Sequence, residues 1–467
     1  MLLRSSIEAA TWPAVLTDKA AKVMAVQQQL GESQWWPPAR MRAAQFEQLR
    51  PLVEFAMGHV PFYAERLQAA GLRPGVPLTE AMWDAVPVST RRAVRDAGEA
   101  LHPPGYPLAH GNYGLVTTGG STGVPVRVRK SELAQLMWEC SHIRERLWAA
   151  EGTDGTLVRF WQSNPNYFTP LGYEAVLSAE GLVLDGWGGV DELLWQTGKV
   201  AHMSDHQPFA VKFAFMQRVQ ANHLLIFPSN LRLLIVEFRR AGVRLPSLKS
   251  VWTQSELVDD ALRDACREVL GCEIIDTYSA AETGFMALQC PEARQYHIQA
   301  ETMLVEVLDA DGRACAPGEV GRVVVTPLHN YATPLLRYEV GDEAELGGPC
   351  SCGRGLGVLK RIVGRAHDYL HLPSGGRRRA NLNVYQMAKI EAVAEYQIVQ
   401  RALDRIELRL VMAEPLTAET RAAIHALAVT GFGSEFAIDI TVQDSLPRTA
   451  SGKLLAFVSA LPAAVET

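Results

Sequence analysis

The chain has 467 residues, 48% of them hydrophobic and 21% charged, with 37 Gly and 26 Pro. This composition lies near the globular mean and excludes collagen-like, disordered, coiled-coil and disulfide-scaffold classes. Forty-five Lys and Arg against 51 Asp and Glu give a formal charge of −6, which provides no electrostatic footprint for nucleic acid. At roughly 150 residues per domain the length fits about three domains, or one large α/β body with a smaller appendage.

The N-terminal MLLRSSIEAATWP has no sustained apolar stretch behind its early Arg, and the most apolar internal run, LLIFPSNLRLLIVEF, is broken by Pro228, Asn230 and Arg232. The expectation is a soluble, cytoplasmic protein with no membrane or nucleic-acid partner and with reduced cysteines. Residues 41–70 place Phe46, Leu49, Leu52, Val53 and Ala56 close to the 3.6-residue period and stop at Gly71, so this region reads as helical. From 207 to 278, apolar strand-like segments recur near 224, 250 and 274 with amphipathic helices between them. That alternation predicts βαβ crossovers and a parallel sheet buried on both faces. After 300, MLVEVLDADGR and GEVGRVVVTPL read as antiparallel strands joined by a polar turn. Beyond a basic, glycine-containing stretch at 374–383, the segments AEYQIVQ, RIELRLVM, TAETRAAIHALAV and FAIDITVQD predict a small α+β domain. The expected fold class is therefore α/β. Residues 1–364 form a large domain of mostly parallel sheet with helices and added antiparallel strands, and 365–467 form a small, mobile α+β domain.

Four stretches carry candidate chemistry. TTGGSTGVP, 117–125, packs three glycines and four hydroxyl side chains between two strand-like segments. Its backbone N–H groups and hydroxyls can cradle phosphates, or it is a plain glycine-rich hairpin. It is not a P-loop of the GKS/GKT type, because Val124 follows Gly123. DTYSAAETGF, 276–285, follows a strand-like segment, where ligands of doubly wound sheets bind, so Glu282 is placed to meet a metal or nucleotide. YATPLLRYEVGDEAEL supplies Asp342, able to accept both hydroxyls of a ribose, with Arg337; the bland alternative is a surface Arg337–Asp342 ion pair. LPRTASGKLL presents Lys453 on a Ser-Gly turn, as a compact charge for a phosphate or carboxylate or as ordinary surface.

Taken together, in this order, these stretches resemble the adenylate-forming ligase superfamily and, within it, the phenylacetate-coenzyme A ligase-like branch. TTGGSTGVP is similar to the superfamily's phosphate loop, DTYSAAETG to its tyrosine-and-glutamate motif, LLRYEVGD to its ribose-binding motif, VGRAHDYL to its hinge and PRTASGK to the motif of its mobile lysine. The resemblance spans roughly 110 to 455. It implies that Thr118, Gly119, Gly120, Ser121, Thr122 and Gly123 wrap the β- and γ-phosphates of ATP and that Glu282 holds Mg²⁺. It further implies that Tyr278 lines the adenine and acyl sites, that Asp342 and Arg365 contact the ribose, and that Lys453 stabilises the adenylation transition state. Two positions depart from the family pattern: Val124 replaces the loop lysine, and His367, followed by Asp368, replaces the first hinge aspartate.

The implied function is ATP-dependent activation of a carboxylic acid, aromatic or arylacetic in this branch, to acyl-AMP and pyrophosphate. Transfer to coenzyme A or to the phosphopantetheine of a carrier protein follows. Amide formation with an amine, and a non-catalytic zinc-stabilised binding protein of the same fold, are the alternatives; assembly as a homodimer is left open. Trp161, Tyr167, Phe227 and Pro228 are candidates for the acyl pocket, or plain core. Separately, Cys290 and His297 lie seven positions apart, with Cys350 and Cys352 following in GPCSCGR. Three thiolates and one imidazole satisfy tetrahedral zinc with no open position, the pattern of a structural site; merely free or buried thiols are the other reading.

Overall fold

The computed structural model describes residues 1–117, 126–161, 170–204, 207–365, 369–379, 390, 392–412, 414–447, 455 and 457–461. By packing, the chain divides into two units, one of residues 1–155, 185–199 and 275–364, the other of 156–184, 200–274 and 365–467. Among the described residues no helix is long and apolar enough to cross a membrane.

The first unit opens with helices Asp18–Ser33, Pro38–His59 and Pro61–Ala69. The region 41–70 is helical as its periodicity predicted, in two helices rather than one continuous run, because Pro61 cannot donate a backbone bond and holds Val60 extended at φ −113°, ψ 104°. Leu49, Leu52, Val53 and Ala56 point into a core shared with Met286, Ala287, Val323, Val325 and Leu335. Its strands run in the order Met303–Leu308, Val320–Pro327, Tyr338–Leu346, Val358–Arg365, Tyr296–Ile298, Gly284–Gln289 and Glu273–Ala280. The first three are antiparallel, with Met303 opposite Pro327 and Val325 opposite Tyr338, as the polar turn predicted. A separate antiparallel hairpin pairs Tyr113–Thr117 with Arg127–Ser131, Thr117 opposite Arg127. The phosphate-loop residues 118–125 at its tip lie outside the described residues.

In the second unit, Thr156–Trp161, Val200–Ser204, Ala221–Ile226 and Ser250–Gln254 are parallel neighbours, with helices Phe209–Arg218, Pro228–Ala241 and Asp260–Leu270 between or after them. This is the parallel sheet that the alternation predicted. The strand expected at 224 begins three residues earlier, at Ala221. Asn222 hides it from a hydropathy reading, since its side chain accepts from Thr156 N at 2.8 Å and donates to Ser247 O at 3.1 Å, ladder-like bonds made by a polar residue. Leu224, Leu231, Phe238, Val251 and Cys266 form its core. Residues 369–461 carry a core of their own, Ile406, Leu408, Leu410, Ile424, Ala428 and Phe432. Here Val393–Ala402 pairs antiparallel with Arg405–Met412 and parallel with Phe457–Ser459, while Ala437–Val442 lies parallel to Arg405–Met412. The helix Ala418–Phe432 packs on these strands.

Candidate active site

Three sequence-distant segments of the first unit converge at Glu282, which is only 5% exposed. Ser89 bridges in parallel to Tyr338, its N–H donating to Arg337 O at 2.8 Å while Glu339 N donates back to Ser89 O at 3.0 Å. Thr90 then caps the next helix, Arg91–Ala97, its hydroxyl accepting from Ala93 N. This clamp delivers Arg91, whose Nη1 donates to Glu282 Oε1 at 2.9 Å and to Tyr338 Oη at 3.3 Å. Tyr338 Oη in turn donates to the same Glu282 oxygen at 3.1 Å. Burial and the adjacent carboxylate push the Tyr338 phenol well above its ordinary value, so it remains a donor. On the other side, burial pulls the Lys130 ammonium down while Glu282 opposes the shift, and its Nζ donates to Ala281 O at 3.2 Å.

Tyr278 Oη donates to Asp342 Oδ2 at 2.9 Å. Two stretches singled out from sequence are thus joined by one hydrogen bond, with Glu282 four positions beyond Tyr278. Arg337 does not form the surface pair with Asp342 that the bland reading supposed. It is 3% exposed, donates to the carbonyls of Asp84 and Val86 at 2.6 and 2.7 Å, and pairs with Glu306 at 3.0 Å. The residue sits at φ +42°, a strained conformation for a non-glycine residue, held within this inward set of bonds. Of the other expected site residues, Thr118, Gly119, Gly120, Ser121, Thr122, Gly123, His367, Asp368 and Lys453 lie outside the described residues, as do Val124 and Tyr167 and the side chains of Arg365 and Trp161. Phe227 and Pro228 open a helix of the second unit.

A cleft beside Glu282 is lined by Met137, Trp138, Thr283, Phe285, Met303 and His329, among others. Trp138 lies 5.6 Å from Phe285 between ring centroids and stacks on His142 at 5.8 Å. His142 is held by Asp191 at 3.2 Å, which also accepts from Arg146 Nε at 2.9 Å, so a buried ion network backs the cleft's aromatic wall. Gly284 sits at φ +97°, and a Cβ there would approach Trp138 to 3.8 Å; the backbone turn there needs glycine. Arg91, Trp138 and His329 escaped the sequence reading: none sits in a recognisable motif, and Arg91 follows an ordinary helix cap. Tyr338 stood within LLRYEVGD and was legible as part of it.

Cys290, His297, Cys350 and Cys352 come together with their ligand atoms all within 4.8 Å of one another. Cys290 Sγ is 3.7 Å from Cys350 Sγ, and Cys352 Sγ is 3.2 Å from His297 Nε2. Zinc–sulfur bonds of about 2.3 Å at a tetrahedral angle require sulfurs about 3.8 Å apart, so these residues fit the ion. Burial, with Arg354 nearby, lowers the His297 imidazole to about 4, keeping it in the neutral form a metal needs.

No protein-family model matches the chain. It is 29% identical over 406 residues to a phenylacetate-coenzyme A ligase of Thermus thermophilus, covering 82% of this chain and 84% of that protein. A phenylacetate-coenzyme A ligase of Aromatoleum evansii is 25% identical over 71% of each chain. A crystal structure of 2-hydroxyisobutyryl-CoA ligase in its postadenylation state shares the fold, with a TM-score of 0.68 at 18% identity over 91% of this chain and 90% of the other. Along more than four fifths of its length the chain is similar to a phenylacetate-coenzyme A ligase, and it shares the fold of 2-hydroxyisobutyryl-CoA ligase. The Arg91–Glu282–Tyr338 cluster, the Tyr278–Asp342 pair and the aromatic cleft all lie in the first unit.

Proposed function

We propose that this ligase activates a carboxylic acid with ATP and passes the acyl group to a thiol, coenzyme A or a carrier protein's phosphopantetheine. The observation that carries the reading is the Tyr278–Asp342 hydrogen bond, which unites the two motif segments next to Glu282. A carboxylate oxygen attacks the α-phosphorus and a new C–O–P linkage forms. The bond to the β-phosphate oxygen breaks, and pyrophosphate leaves with that electron pair. A thiolate then adds to the acyl carbon and AMP departs, leaving a thioester.

In this reading Asp342 accepts from the ribose hydroxyls, Arg365 supports it, and Tyr278 lies along the nucleotide. Glu282 would hold Mg²⁺, which when bound neutralises charge on the phosphates. With Val124 in place of the loop lysine, Arg91 and Lys130 supply the positive charge next to Glu282, and Arg91 can exchange its bond to Glu282 for one to phosphate. Thr118 to Gly123 wrap the phosphates, and Lys453 meets the charge developing between carboxylate and α-phosphate. The substrate class is an aromatic or arylacetic acid, as the names of the phenylacetate-coenzyme A ligase relatives suggest. Residues 1–364 and 365–467 act as separate domains about the joint at His367 and Asp368, and zinc bound by Cys290, His297, Cys350 and Cys352 is structural. The decisive experiment is ATP–pyrophosphate exchange across a panel of carboxylic acids, which reads adenylation without an acceptor. Acid-dependent exchange is expected, reduced by about 10² in Lys453→Ala; exchange with no acid would refute the reading.

A further inference from the structure

A polar row crosses the four-stranded C-terminal sheet. In the register of its strands Thr441 lies beside Arg409 and Arg409 lies opposite Gln397, one residue from each of three neighbouring strands. Gln397 is only 2% exposed, so both ends of its amide need a partner. Its Oε1 accepts from Arg409 Nη1 at 3.1 Å, and its Nε2 donates to Leu455 O at 2.9 Å. A guanidinium only donates, so it can face only the amide oxygen, and this turns Nε2 toward Leu455. Arg409 is held in turn: its Nε donates to Glu407 Oε2 at 3.2 Å, and Glu407 Oε1 accepts from Thr441 Oγ1 at 3.0 Å.

The bond to Leu455 falls where the backbone ladder begins. Phe457–Ser459 pairs with Val393–Ala402 from Phe457, opposite Ile398, onward, and the Gln397 amide adds a bond just ahead of that strand. Lys453 precedes Leu455 by two positions in the sequence, so at most about 7 Å of extended backbone separates it from this anchor. A flexible lysine side chain needs a fixed starting point to meet a developing charge, since a misplacement of about 1 Å can cost about 10² in rate.

We propose that Gln397 is a positioning residue for Lys453: it anchors the chain at Leu455 and so sets where the stem of the lysine begins. The inference rests on the adenylation reading above, in which Lys453 meets the charge between carboxylate and α-phosphate, and adds a residue outside every motif of the sequence. Gln397 acts only through Lys453, so its loss should be felt in adenylation and should vanish once the lysine is gone.

The test uses full-length protein carrying Gln397→Glu. A glutamate there can still pair with Arg409 and fills the same space, but it has no N–H for Leu455 O. Gln397→Met, uncharged and also without that donor, is the second variant if the glutamate lowers the thermal midpoint. ATP–pyrophosphate exchange across the acid panel, thioester formation from the adenylate of the best acid and coenzyme A, and thermal denaturation are measured in wild type, Gln397→Glu, Lys453→Ala and the double variant. Gln397→Glu should stay folded, keep its thioester rate, and lower kcat for exchange by about 10- to 100-fold with little change in the KM for ATP. In the Lys453→Ala background the same substitution should cost less than about twofold. Wild-type exchange in Gln397→Glu, an equal loss in both half-reactions, or an undiminished loss in the Lys453→Ala background overturns the inference while adenylation stands. Wild-type exchange in Lys453→Ala does the same, because it removes the lysine that Gln397 would position. If no acid supports exchange, both fail together.

Discussion

Glu282 Oε1 accepts from both Arg91 and Tyr338, so the carboxylate is oriented before any ligand arrives. If Arg91 supplies the charge that Val124 lacks, Arg91→Gln should weaken Mg·ATP binding, read by calorimetry, and raise the KM for pyrophosphate. Both effects should be about tenfold or more, the worth of one hydrogen bond to a charged group. Unchanged values for both would leave Arg91 a purely structural partner of Glu282. A second residue-level consequence concerns pH. Burial, with Arg159 beside it, lowers the His202 imidazole to about 4. Unfolded, the ring takes a proton below about pH 6.5, whereas folded it does not until about pH 4, so the unfolded state binds more protons in this window. Stability should therefore fall as pH drops from 6.5 to 4, with this histidine contributing at most about 1.4 kcal/mol per pH unit. Denaturant midpoints across that range should show a shallower slope in His202→Gln, and identical slopes would remove His202 from the effect.

At the level of elements, the four thiol and imidazole groups come from a strand end, a strand and a turn. His297 is fixed by pairing with Leu288 and Val358. Cys290 N donates to Gln295 O in the tight connection before it, and Gly353 N closes the turn onto Cys350 O. Arg354, over the rings of Trp35 and Trp148, holds this corner against the N-terminal helices. Elemental analysis should find about one zinc per chain. Cys352→Ser should lower the thermal midpoint, and a chelator should do the same to wild type, because binding energy at a closed site is folding energy. Protein free of metal with an unchanged midpoint in chelator would refute the site.

For the whole molecule, residues 369–461 have a core independent of the first unit's, and the strand Val358–Arg365 carries Gly364 at φ +118° as its second-last residue. A joint that serves two half-reactions must absorb its rotation in the backbone of a few residues. Proline at His367 or Asp368 fixes φ near −65° and removes a donor. One half-reaction should then persist while the other falls, with pyrophosphate exchange and thioester formation measured separately. Wild-type rates of both half-reactions in both variants would exclude rotation about this joint.

Sequence alone was enough for the features that depend on local pattern. The alternation over 207–278 specifies the parallel strands because hydrophobic periodicity and chain connectivity determine βαβ units. The order of the motifs points to the ligase family, and the spacing of Cys290, His297, Cys350 and Cys352 anticipates a cluster the fold does assemble. Tertiary structure decided the rest. It brings Arg91 to Glu282 across 191 positions, turns Arg337 inward onto backbone carbonyls, and leaves Thr283 Oγ1 and His329 Nδ1 buried without a partner among the described residues. The reason is that burial and partner choice belong to the packed chain: a single arginine, histidine or tryptophan has no period, and its chemistry is set by whichever distant residue the fold places within hydrogen-bond reach.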